Sequence, residues 1–144
     1  MGVMAMFELT DEYLTGVQQL DDQHREILAR FGTLVRVLRQ DEATNHLSYV
    51  LSFLRGYAAS HFRLEQETMT KFEYPDFLEH KAQHDSFEQE FVQLGKEMDH
   101  YGASNELAEH VSLVVTDLLL KHIQNHDLKM AGYLGPLVKE WRPL

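Results

Sequence analysis

The sequence contains nine histidines, and five of them, His24, His61, His80, His84 and His122, fall on apolar stripes at helical spacing, with Glu65 on the same stripe as His61. Each imidazole or carboxylate taken into a core needs its own compensation, because burying an unpartnered polar group is costly. A single inward histidine is ordinarily a hydrogen-bonded core residue. When several converge from different helices, one bound cation compensates all of them at once.

Spacing adds to the case. Residues four apart on a helix lie one above the other on the same face. HFRLE at 61–65 therefore presents a nitrogen and an oxygen donor in one direction, and HKAQH at 80–84 presents two nitrogens. Either pair alone is common on surface helices. Two pairs on successive helices, with His24 and His122 on the flanking two, form a constellation. Five imidazoles with carboxylates exceed what one tetrahedral zinc takes, and calcium and magnesium prefer oxygen shells. A nitrogen-rich set with carboxylates suits two redox metals, iron before manganese.

The elements that must position these donors follow from the same periodicity. Four amphipathic helices are expected, over about 21–39, 45–72, 76–99 and 105–130. Their stripes are Leu20, His24, Ile27, Phe31, Leu34 and Leu38; then Leu47, Val50, Leu54, Ala58, His61, Glu65 and Met69. The third carries Phe77, His80, His84, Phe87, Phe91, Leu94 and Met98, and the fourth Leu107, Val111, Val114, Leu118 and His122. Pro75 breaks the pattern, Asp76 with Glu79 reads as a capping box, and Ser104 reads as an N-cap after Gly102. The polar stretch Gln40 to Asn45 separates the first two helices. Short connections favour an all-α, antiparallel up-down-up-down four-helix bundle, with an N-terminal arm turning near Gly16 and a short C-terminal tail bearing Trp141. One domain over 1–144 is expected, with the bundle at about 20–130. In that topology His24, His61, His80, His84 and His122 all stand at one end.

Composition narrows the function classes. A formal net charge of -10 argues against nucleic acid or an anionic membrane as partner. The absence of cysteine excludes disulfides, iron–sulfur clusters, thiolate zinc sites and cysteine nucleophiles. The start MGVMAMFELTDEY is a poor signal peptide, and no apolar run suggests a membrane span, so a cytoplasmic protein is the expectation.

His24, HFRLE at 61–65, HKAQH at 80–84 and HIQNHD at 122–127 closely resemble the hemerythrin signature of H, HxxxE, HxxxH and HxxxxD. The likeness runs from about Leu14 to Lys129, including LDDQH at 20–24 and YPDF at 74–77, and fits single-domain bacterial members. It implies one iron held by His80, His84 and His122, and a second held by His24 and His61. Glu65 and Asp127 would bridge them, with an oxo or hydroxo group, and the ions would cycle between Fe2+ and Fe3+. Dioxygen would bind at an open position on the two-histidine iron, in a pocket lined by Ile27, Leu119 and Ile123. Leu118 stands where relatives often carry Trp, and Phe7 stands in place of an N-terminal Trp.

Asp127 does not follow from regular helix geometry. Five residues after His122, it should point about 140° away, whereas His126 should share the direction of His122. Spacing alone selects His126; the resemblance selects Asp127 and requires a widened, π-like turn. His126 would then sit beside the site or face solvent. His46, His100 and His110 read as ordinary surface residues near helix ends. The function implied is reversible dioxygen binding, for oxygen transport, storage or sensing, rather than catalysis, since di-iron oxidases are richer in carboxylates. The competing readings are a di-iron enzyme acting on peroxide, nitric oxide or oxygen, and a sensor working through a separate protein partner.

Overall fold

The computed structural model describes residues 7–39 and 44–141, without the side chains of 44–48. The helix boundaries are α1 Gln18–Arg39, α2 Thr44–Lys71 and α3 Phe77–Tyr101, followed by a fourth helix over 105–134. α1 packs on α2, α2 on α3, α3 on the fourth helix, and the fourth helix back on α1. This closed ring of neighbours is the up-down-up-down bundle expected from the short connections. No strand occurs among the described residues, and no helix there is long and apolar enough to cross a membrane.

The fourth helix is not a regular α-helix. It runs as α over Asn105–Leu113, π over Val114–Leu119, α over Leu120–His122, π over Ile123–Asp127 and α over Leu128–Leu134. In both π segments the closing N–H reaches back five residues, from Leu120 to the Val115 carbonyl and from Leu128 to the Ile123 carbonyl. The first segment corrects the expected stripe. The extra residue in the turn rotates Leu119 into the core, 3% exposed, and leaves Leu118 at 36%. The helix also continues four residues past the expected end at 130, so that Leu134 is fully buried.

The turn between α2 and α3 is a Schellman motif. Glu73 takes a left-handed conformation with φ 54°, the Tyr74 N–H donates to the Met69 carbonyl at 2.9 Å, and the Glu73 N–H donates to Thr70 at 3.3 Å. Met69 and Tyr74 pack in the same apolar cluster, the hydrophobic contact such a cap normally carries. The expected capping box at Asp76 does not form. The Asp76 carboxylate makes no cap hydrogen bond and instead meets Lys129 Nζ at 2.7 Å. Ser104 caps as expected, its hydroxyl accepting from the Leu107 N–H at 3.0 Å. Gly102, at φ 71°, ends α3.

Two apolar clusters fill the bundle. The larger contains Ile27, Phe31, Leu54, Phe62, Phe87, Leu119 and Ile123, and reaches Met98 and Leu107 at the far end. The smaller contains Leu20, Met69, Tyr74, Met130, Leu134 and Trp141, so the tail closes the other end of the bundle. Phe7 of the N-terminal arm joins the larger cluster against Gly32, where an added Cβ would come 3.3 Å from the ring. The predicted stripe residue Leu47 and the surface reading of His46 lie outside the described side chains. His100 is exposed, and His110 is half-buried, its Nδ1 2.8 Å from Glu97 on α3.

Candidate metal centre

Between the two apolar clusters all four helices turn polar side chains inward. α1 supplies His24, α2 His61 and Glu65, α3 His80 and His84, and the fourth helix His122 and Asp127. All seven are buried, none more than 2% exposed. Their donor atoms form two overlapping groups: Glu65, His80, His84, His122 and Asp127 in one, and His24, His61, Glu65 and Asp127 in the other. Glu65 and Asp127 belong to both.

Each carboxylate divides its oxygens between the groups. Glu65 Oε1 lies 3.3 Å from His80 Nε2 and 3.1 Å from His84 Nε2, while Oε2 lies 2.9 Å from His61 Nε2. Asp127 Oδ1 lies 3.0 Å from both His80 Nε2 and His122 Nε2, while Oδ2 lies 3.0 Å from His24 Nε2. The second π segment makes this possible: an i→i+5 turn brings Asp127 under His122, which a regular α turn would not. Donors bound at right angles to one first-row ion at about 2.1 Å stand about 3 Å apart, a spacing that these separations match.

Hydrogen bonding does not account for the cluster. The Nε2 atoms of His24, His80, His84 and His122 and all four carboxylate oxygens are buried without a hydrogen-bond partner. Among metal-free proteins such orphans are rare and expensive. So many buried nitrogen and oxygen donors converging from four helices suit a bound cation, so the residues fit a metal centre.

The electrostatics agree. Burial disfavours charge on His24 and His80, but the Asp127 and Glu65 carboxylates overcome it and push their pKa values up to about 9 and about 10. Burial alone would raise Glu65, yet the facing His61, His24 and His80 hold it well below the usual carboxylate range. Asp127 is likewise held low, His122 and His24 outweighing burial and the repulsion of Glu65. His84 is pushed down by burial, with His122 and His80 adding to the effect. The site thus gathers positive charge around two anions that stay ionised.

The family model described as the hemerythrin HHE cation binding domain matches residues 15–134. The chain belongs to the hemerythrin family. A bacteriohemerythrin of Methylococcus capsulatus is 34% identical over 119 residues, covering 81% of this chain and 86% of that protein. One of Clostridium acetobutylicum is 26% identical, covering 85% of this chain and 96% of that protein. A crystal structure of a hemerythrin point mutant superposes with a TM-score of 0.70 at 26% identity, covering 88% of this chain and 91% of that one.

Within this hemerythrin domain, residues that the spacing of the donors does not point to support them. Gln23 Oε1 accepts from His61 Nδ1 at 2.7 Å, and Gln66 Oε1 accepts from His84 Nδ1 at 2.8 Å. Holding the proton on Nδ1 fixes the tautomer that leaves each Nε2 lone pair facing the cluster. Phe62 stacks on His84 with ring centroids 4.2 Å apart, and Phe87 meets His122 edge-on at 5.6 Å. A glutamine beside each donor-bearing stripe was visible in the sequence, but glutamine is so common on helix surfaces that its position carried no signal. Ile27, Leu119 and Ile123 are buried in the same cluster as Phe62 and Phe87. His126 is half-buried and stacks on His122 at 5.4 Å.

Proposed function

We propose that this chain binds dioxygen reversibly at a non-haem di-iron centre. His80, His84 and His122 would hold one iron, His24 and His61 the other, with Glu65 and Asp127 bridging them. The observation that carries this reading is the division of each carboxylate between the two histidine groups, since one ion needs no such arrangement. The donor set favours iron: imidazole-rich, carboxylate-bridged and without thiolate. When bound, a ferrous pair would supply two electrons to dioxygen, one from each ion, and take them back on release.

The chain's own residues do the rest. The unequal split, three imidazoles against two, leaves one side short of protein donors. Gln23 and Gln66 lock the ring orientations, so little reorganisation accompanies a change in ligand. Phe62, Phe87, Ile27, Leu119 and Ile123, all buried in one apolar cluster, would disfavour water and the loss of charged oxygen species. Glu65 and Asp127 stay ionised and offset the cation charge in this dry surrounding. Five imidazoles to two carboxylates suit holding oxygen more than consuming it.

Gas tonometry of the protein reconstituted with ferrous iron under argon tests this. The expected result is one dioxygen taken up per two irons and recovered under vacuum. Uptake that continues with turnover, or is not recovered, would contradict it.

A further inference from the structure

We propose that His126 is the metal-capture residue of this centre, taking an incoming ion first and passing it to His122 and His80. This rests on the two-metal reading above and adds a route by which the metals arrive. The seven converging donors are at most 2% exposed, so a hydrated ion cannot meet them directly. His126 is a further imidazole against the cluster, and it is only half-buried. Its ring stacks on His122, with centroids 5.4 Å apart and planes at 24°, and meets His80 edge-on at 5.9 Å. The π turn that carries Asp127 inward leaves His126 at the solvent boundary beside His122. Glu79, exposed on the first turn of α3, is near enough to act on His126 electrostatically and adds a negative charge at that boundary. An ion reaching this point exchanges its waters for imidazoles one at a time, from a half-exposed ring to two buried ones. The net charge of -10 favours cation approach in general, and this pair gives the approach a landing point.

The test is the rate at which full-length metal-free protein takes up cobalt(II), followed by its absorption, with bound metal counted at the end point. His126→Phe keeps a ring against His122 and removes the donor. The expected result is full occupancy with loading slowed about tenfold or more, and chelator-driven removal slowed by the same factor. A residue that only lowers the barrier acts equally in both directions and leaves affinity unchanged. Glu79→Gln, which leaves the ring contacts alone, is expected to slow loading several-fold at low salt and little at high salt. Wild-type loading rates in His126→Phe would overturn the proposal. So would faster removal with lower occupancy, which would make His126 a ligand or a prop. Fewer than two ions bound by the wild-type protein would instead sink the two-metal reading.

Discussion

His122 and Asp127 are five residues apart on one helix, yet His122 Nε2 and Asp127 Oδ1 lie 3.0 Å from each other. That contact exists because the intervening turn is π rather than α. It settles which of the two neighbouring residues faces the cluster: Asp127 is 1% exposed inside it, whereas His126 stacks outside on the His122 ring.

Removing Asp127 should therefore cost metal, and removing His126 should not. Asp127→Ala is expected to retain one ion or none per chain, against two in the wild type and in His126→Ala. Metal analysis after dialysis measures this, and retention of both ions in Asp127→Ala would refute the bridging role.

Gln23→Leu leaves every proposed ligand in place but removes the acceptor on His61 Nδ1. Loss of such an outer partner is expected to weaken metal binding about 10- to 100-fold. Chelator competition reads the change. An unaltered affinity would mean that packing alone orients His61.

Protons and metal compete for the same atoms. In the metal-free protein His24 and His80, raised to about 9 and about 10, are protonated at neutral pH, so loading must expel protons and apparent affinity should climb with pH. Stability has the opposite sign. Groups with raised values contribute fully below their unfolded value of 6.5, and that contribution fades as pH rises through about 9 to about 10. Glu65 and Asp127, held low, contribute above their ordinary values of 4.5 and 3.8 and lose this as pH falls. The metal-free protein should melt at progressively lower temperature between pH 7 and 10, while the loaded protein changes much less. A flat metal-free profile over that window would contradict the charge pattern.

Glu73 pays the steric cost of a left-handed residue at φ 54° in the Schellman turn. Glycine takes this conformation without strain, so Glu73→Gly is expected to stabilise the protein by about 1 kcal/mol. A denaturant melt would show a higher midpoint at unchanged slope. Destabilisation would mean that the Glu73 side chain contributes something beyond the turn.

The bundle and six of the seven clustered donors were legible because each obeys the 3.6-residue period: His61 with Glu65 and His80 with His84 are one turn apart, and His24 and His122 sit on apolar stripes. Leu118 and Asp127 were not legible from periodicity. A π turn inserts one residue without leaving a compositional mark, so the inward position slips from Leu118 to Leu119 and from His126 to Asp127. Leu119 faces inward for the same reason that Asp127 does. Only the resemblance to hemerythrin selected Asp127. The Asp76 capping box failed differently. A carboxylate at that position had a second partner, Lys129, brought close by the tertiary fold and invisible to a local rule.

The optical spectrum of the iron-loaded, reduced protein through repeated cycles of air and vacuum separates reversible dioxygen binding from irreversible oxidation. Reversible binding predicts a visible charge-transfer band that appears with air, disappears under vacuum and returns undiminished over several cycles. A single conversion to a ferric spectrum that vacuum does not reverse would contradict it.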